Sequence, residues 1–354
     1  LYLTAFEIAV KEGKPWTIMS SYNMVNGTHV NENLHLMRDI LRDEWGYKNV
    51  VVTDWAGSND RVQGLIAGNE LEMPSCLYSN QDLYKALTEG YKIPDELTPD
   101  RPGDQYDRIV AAFRDGKLDE KYLDEALDRL LDLVFTTEKA FEGRPEDKPL
   151  RVVNVDAHHE MAKKCARECI VLLRNENKTL PLAGGTTVAV IGDFAKVPRY
   201  QGAGSSVVNP TKLDSPLVCL GFGIEKYEKN PLPDPKDKVT SIGDNIFGLK
   251  IAGYAPGFDR YGKKNDGLIK EACALADKAE VSLVYLGLDE VTEAEGLDRG
   301  DIKIPQAQID LVDALAKKGK KIVVVLSCGS AGELPFADKV DAIVHAYLGG
   351  QAIA

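Results

Sequence analysis

Short apolar runs alternate with amphipathic stretches along the first part of the chain. Thr17 to Asn23 (TIMSSYN) and Asn49 to Trp55 (NVVVTDW) have the length and β-branched content of strands, and NELEMP predicts a third around Leu71. Between the first two, HLMRDILRDEWG sets Met37, Ile40, Leu41 and Trp45 at helical spacing, which predicts a helix with one face on a sheet. The chain then turns helical in QYDRIVAAFRDG and in LDEKYLDEALDRLLDLVF, where Leu123, Leu127, Leu130, Leu131 and Val134 form a stripe.

Residues 136–153 break the pattern. TTEKAFEGRPEDKPLR, from Thr136 to Arg151, is charged, holds two prolines and a glycine and lacks an apolar period, so it reads as a linker. From residue 154 a second pattern begins with a long helix expected over Asp156 to Arg174. There follow strand VAVIGD, a glycine-rich turn QGAGSSVVNP, helix IKEACALADKA, strand VSLVYLGL, helix QIDLVDALAKK, and strands IVVVLSC and AIVHAYL. Continuous β-branched runs separated by helices predict a mainly parallel sheet covered on both faces. The expected organisation is an α/β chain: residues 1–135 with the βα repetition of a barrel or open sheet, a linker over 136–153, and an α/β sandwich domain over 154–354.

Composition narrows the function. The 354 residues carry 43 Lys+Arg against 55 Asp+Glu, and the formal charge of -12 offers no footprint for nucleic acid or an anionic membrane surface. The longest apolar runs are strand-length, short of the roughly 20 residues a spanning helix requires. LYLTAFEIAVKEGKPW lacks the pattern of a signal peptide. The cysteines Cys76, Cys165, Cys169, Cys219, Cys273 and Cys328 are scattered without a CxxC pair or a histidine cluster, which predicts a reduced, cytoplasmic setting, no metal site, and burial of Cys165 and Cys169 as small hydrophobes.

Two carboxylate-bearing segments carry candidate chemistry. VVTDWAG ends an apolar strand in Asp54 beside the flat indole of Trp55; local features allow either a group facing a polar cleft or an N-cap for a helix starting near Asn59. VTEAEGLDRG, from Val291 to Gly300, follows a strand and carries Glu293, Glu295, Asp298 and Arg299, which fits a catalytic loop or a solvated acidic one. A glycosidase needs two such carboxylates, one to attack the anomeric carbon and one to protonate the leaving oxygen, and two domains can supply one each. QGAGSSVVNP lacks the GxGxxG spacing and the Lys-Ser/Thr of a phosphate cradle, so its small residues are read as permitting close approach to a cleft.

Taken together, IMSSYNMVNG, LMRDILRDEWGY, VVTDWAG, AGNELEMP, HHEMAKKCARECIVLLRNENKTLPL and AEGLDR resemble glycoside hydrolase family 3 along nearly the whole chain. The resemblance implies the C-terminal part of a (β/α)8-type barrel followed by the sandwich domain. It implies Asp54 as nucleophile, Trp55 on the aglycone side, Tyr22 beside the nucleophile and Glu295 as acid/base of a retaining β-glucosidase, with Glu293 as the competitor. No metal or organic cofactor is implied, and the partner is a β-glucoside or oligosaccharide. The upstream barrel strands of family members, with their glycone-gripping residues, have no counterpart here. An internal portion of a larger enzyme, or a part that pairs with another chain or a second copy, is therefore expected, with poor hydrolysis or none by this chain alone. A β-xylosidase, a non-catalytic sugar-binding fragment and, on the glycine turn alone, a nucleotide-binding module are the competing readings.

Overall fold

A computed structural model describes residues 2–55, 57–73, 104–143, 153–224, 238–242, 245 and 247–354. The chain divides into two compact units, Leu1–Leu150 and Arg151–Ala354.

In the first unit, helix α1 (Thr4–Lys11) precedes strand β1 (Thr17–Met19), and a hairpin of β2 (Met24–Val25) and β3 (Thr28–His29) leads into the helix His35–Glu44. That helix takes π-type hydrogen bonding, with Trp45 N–H donating to Ile40 O at 2.9 Å. Its face buries Met37 and Leu41 with Val10, Tyr47, Val51 and Ala67, as the spacing predicts; Trp45 packs at the margin and Ile40 is half-buried. Strand β4 (Val50–Val52) pairs in parallel with β1, and Leu71 bridges in parallel to Val52. Three strand positions thus follow one another in parallel with helical crossovers, the repetition of a partial barrel.

Helix α2 (Arg61–Ala67) packs with α3 (Asp104–Arg114) and α4 (Glu120–Phe141) around Leu65, Ala112, Leu118 and Ala126. Two expectations change here. Helix α4 continues to Phe141, through the first six residues of the expected linker, whose residues 144–152 lie outside those described. Its packed line runs through Tyr122, Leu123 and Ala126, whereas Leu127, Leu131 and Val134 of the predicted stripe are exposed. Glu70 explains the register. Its buried carboxylate accepts from Arg42 Nη2 (2.8 Å), Arg129 Nη1 (2.7 Å) and Val51 N (2.7 Å), so α4 must turn Arg129 inward to meet it. Breaking such a buried pair costs about 3–5 kcal/mol.

The second unit opens with α5 (Val155–Cys169), capped by Asn154, whose side chain accepts from Ala157 N at 3.0 Å. The helix expected to reach Arg174 stops at Cys169. Val171–Asn175 is instead strand β5, because the apolar Ile170-Val171-Leu172-Leu173 run suits a sheet edge better than a helix exterior. Cys165 and Cys169 are exposed rather than buried, since α5 buries His159 and Ala166. Cys219, Cys273 and Cys328 are also free thiols; Cys76 lies outside the described residues.

The sheet runs β5, β12 (Ala342–His345), β11 (Lys321–Ser327), β10 (Val281–Gly287), β6 (Thr187–Ile191), β9 (Lys250–Ala255), with only β5 antiparallel to its neighbour. Alternate residues face opposite cores: Ala189 and Ile191 meet helices α7 (Asp266–Ala276) and α8 (Gln306–Ala316), while Val188 and Val190 meet the short helix α6 (Pro216–Cys219) and strand β7 (Phe222–Ile224). Strand β7 pairs antiparallel with β8 (Val239–Ile242). Among the described residues, no helix is long and apolar enough to cross a membrane, and no group of His, Cys, Asp and Glu is placed to hold a metal ion.

Candidate active site

Asp54 lies two residues after β4, beyond the carboxyl end of the strand. Its Oδ1 accepts from Trp55 N at 2.6 Å, and Oδ2 has no hydrogen-bond partner among the described residues. The N-cap alternative goes to another residue: Asp60 caps α2, accepting from Val62 N (2.9 Å) and Gln63 N (3.1 Å). Thr53 pins the strand end, since its buried Oγ1 donates to Met73 O (3.1 Å) and accepts from Met73 N (2.8 Å).

Around Asp54 the loops are held by Asn31, 1% exposed. Its Nδ2 donates to Ser21 O (3.1 Å) and Gly57 O (2.8 Å), and its Oδ1 accepts from Asn69 Nδ2 (2.9 Å) and from the Ser20 hydroxyl. A Cβ at Gly57 would stand 2.9 Å from Asn31 Nδ2, 3.1 Å from Asp54 O and 3.3 Å from Tyr22 Cα, so only glycine lets these segments meet. Tyr22 and Asp54 therefore flank one glycine. The rings of Tyr22 and Trp55 remain 50% and 61% exposed, as surfaces against which a sugar can stack. A third carboxyl, Glu72, is largely buried beside Ser58 and 4.0 Å from Arg61; burial pushes its pKa up. Neither Asn31 nor Glu72 was picked out by the sequence pattern, although Glu72 sits in AGNELEMP, one of the segments that carry the resemblance.

In the second unit, β6, β10 and β11 lie side by side in parallel, so the loops leaving their carboxyl ends converge. After β10, Asp289 caps the turn by accepting from Val291 N, Thr292 N and Thr292 Oγ1, each at 2.8 Å. Ala294 and Leu297 then bridge, which puts Glu295 and Gly296 at the tip of a tight turn where Gly296 takes φ +75°. The buried Arg199, after β6, donates through Nε to Leu288 O (3.2 Å), through Nη2 to Glu293 O (2.7 Å) and through Nη1 to Gln201 O, clamping the acidic loop to the glycine turn.

The two glutamates differ in their contacts. Glu293 spends both oxygens on the loop after β11: Oε2 accepts from Gly329 N (2.9 Å) and Oε1 from Ser330 Oγ (2.5 Å). These bonds hold its carboxyl below the usual range despite partial burial, which acts the other way. Ser330 is in turn held by Arg299 Nη1 at 2.9 Å. Glu295 is exposed; its N–H donates to Ala203 O (2.9 Å), and its Oε2 accepts from Ser205 Oγ and Ser205 N, both at 2.6 Å. The Ser205 hydroxyl, then its N–H, lower the Glu295 pKa. Oε1 has no partner among the described residues. The glycine turn read from the sequence as a close-approach loop is thus the cradle of Glu295. Ser205 itself was missed, because a serine in a glycine-rich turn carries no periodic signal.

Comparison with known proteins gives this arrangement a family. Residues 1–133 match the glycosyl hydrolase family 3 N terminal domain and residues 170–354 the glycosyl hydrolase family 3 C-terminal domain. Thermostable beta-glucosidase B of Acetivibrio thermocellus is 37% identical over 100% of this chain and 40% of its own length. An exo-alpha-(1->6)-L-arabinopyranosidase of Bifidobacterium breve is 36% identical over 99% of this chain and 40% of its own length. A crystal structure of a GH3 beta-glucosidase from Bifidobacterium adolescentis superposes with a TM-score of 0.73 at 37% identity, over 99% of this chain and 44% of that one. The chain spans about 40% of the length of the curated relatives it matches. By both domain matches and by these identities, the chain belongs to glycosyl hydrolase family 3.

Proposed function

We propose that this chain carries the two catalytic carboxylates of a retaining β-glycosidase that hydrolyses terminal β-linked glucose, with Asp54 as nucleophile and Glu295 as acid/base. The observation that carries the reading is Asp54 itself, whose carboxylate, just beyond the end of β4, caps no helix and keeps one oxygen unpartnered among the described residues. In the first step Asp54 attacks the anomeric carbon as Glu295 gives its proton to the departing oxygen, leaving a glycosyl ester on Asp54. In the second, Glu295 takes a proton from water, whose oxygen attacks the same carbon and frees Asp54. Tyr22 and Trp55 supply the faces for the sugar and the leaving group. Glu293 is bound on both oxygens to its own unit and acts as a tether.

The glucose preference rests on the beta-glucosidases among the relatives, while the arabinopyranosidase at 36% identity favours a second reading with a pentopyranoside substrate. Nitrophenyl β-glucoside, β-xyloside and α-L-arabinopyranoside, assayed side by side, separate the two readings from each other and from a non-catalytic fragment.

The acid/base assignment is tested in a form that turns over these substrates. Glu295→Ala is expected to cripple cleavage of alkyl β-glucosides yet spare the first step for a dinitrophenyl glucoside, whose leaving group needs no proton. Azide should then restore turnover and give a β-glucosyl azide. Glu293→Ala should show neither effect; the same pattern at Glu293 and not at Glu295 would move the role to Glu293.

A further inference from the structure

Resting on Glu295 as the acid/base, we propose that Ser205 is its positioning residue: by donating both its N–H and its hydroxyl to Oε2, it leaves Oε1 as the oxygen that takes up and delivers the proton. Both bonds are 2.6 Å long, and the backbone N–H cannot reverse its role. A proton on Oε2 would face that fixed donor, whereas a proton on Oε1 meets none.

The turn is built for this contact. At Gly204 the backbone takes φ +121°, and a Cβ there would lie 2.5 Å from both Glu295 Cβ and Glu295 Oε2. The turn itself is closed by Gln201, whose Oε1 accepts from Val208 N and whose Nε2 donates to Val208 O, each at 3.0 Å. Ala203 O receives the Glu295 N–H, so carboxylate and main chain are held from the same side.

No cation competes. Arg199 is spent on the carbonyls of Leu288, Gln201 and Glu293, and Arg299 on Ser330, Ala331 and Lys303. Glu293 on the same loop is bonded to Gly329 and Ser330, and the Tyr200 hydroxyl on the turn lies against Gln201 and Val208. Hydrogen bonds from Ser205 are accordingly the leading cause that lowers the Glu295 pKa, against a small desolvation that raises it. The chemistry divides between the two steps. In the first, the proton leaves Oε1 for the glycosidic oxygen as the carbon–oxygen bond breaks, and Oε2 is already solvated by Ser205 as the negative charge returns. In the second, Oε1 takes the proton of the attacking water while Ser205 keeps the carboxylate oriented.

The test is a carboxyl-carbon NMR titration of glutamate-labelled protein, the Glu295 signal being identified by its loss in Glu295→Gln. Ser205→Ala should raise the pH at which Glu295 titrates, and Ser205→Thr, which keeps both donors, should return it towards the parent value. An unchanged titration in Ser205→Ala overturns the proposal, whatever the enzyme does. In a form that turns over an aryl β-glucoside, the alkaline limb of kcat/KM, which follows loss of the acid's proton, should move to higher pH in Ser205→Ala, with the acidic limb unmoved. If the NMR titration moves and the alkaline limb does not follow, Glu295 is not the acid, and the assignment under this proposal falls while the Ser205 contact stands.

Discussion

The Asn31 side chain forms hydrogen bonds with residues of three other segments: Ser20 and Ser21 after β1, Gly57 after Asp54, and Asn69 after α2. Its removal strands polar groups in all three, those of Gly57 and Asn69 being buried, and each unsatisfied buried group costs about 1–3 kcal/mol. Asn31→Ala is therefore expected to lower stability by roughly 2–4 kcal/mol in urea unfolding, and to reduce kcat/KM in a form that turns over, because Asp54 and Tyr22 lose their common anchor. An unaltered unfolding midpoint would show that the network is not what holds the loops. Local features left Asp54 open between a cleft-facing group and an N-cap, and its reading as nucleophile came with the family resemblance. Asn31 was not legible at all: its role depends on segments up to 38 residues apart meeting around one amide.

At the scale of elements, Glu293 ties the loop after β10 to the loop after β11. Its pKa is lowered in the folded protein, so its contribution is present above the unfolded glutamate value of about 4.3 and is lost as pH falls through the folded value. Glu293→Gln should lower Tm at pH 7 by about 2–4 °C, the shift expected for ~1 kcal/mol in a unit of this size, and should flatten the loss of stability on acidification. An equally steep acid loss in the variant would place its cause elsewhere.

Helix α4 offers a second test at this scale, since its packed line runs through Ala126 and not through Leu127. Leu127→Glu should change stability by no more than about 0.5 kcal/mol, while Ala126→Leu should cost about 1–3 kcal/mol by overpacking. The reverse order would restore the leucine stripe as the buried face. Helical periodicity revealed that α4 exists; of the stripe, Leu123 joins the packed line and Leu130 is half-buried, while Leu127, Leu131 and Val134 lie exposed and Arg129 turns inward to Glu70. The end of α5 was misread for a related reason: a sheet edge at β12 captured Val171–Asn175, and that partner lies about 170 residues downstream.

For the whole molecule, the change from βα repetition to a second parallel sheet was readable in the pattern, because each unit builds its own core from its own segments. Each proposed catalytic carboxylate is likewise oriented by residues of its own unit, Asp54 by the Asn31 and Gly57 loops and Glu295 by Arg199 and Ser205. The central claim is that Asp54 forms the covalent bond to the sugar. Incubating a form that turns over aryl β-glucosides with dinitrophenyl 2-deoxy-2-fluoro-β-glucoside, then mapping peptides by mass spectrometry, tests it most directly. The account predicts one fluoroglucosyl unit on Asp54 in the VVTDWAG peptide, with loss of activity in step with labelling. A label on any other carboxylate, or full inactivation with Asp54 unmodified, would contradict it.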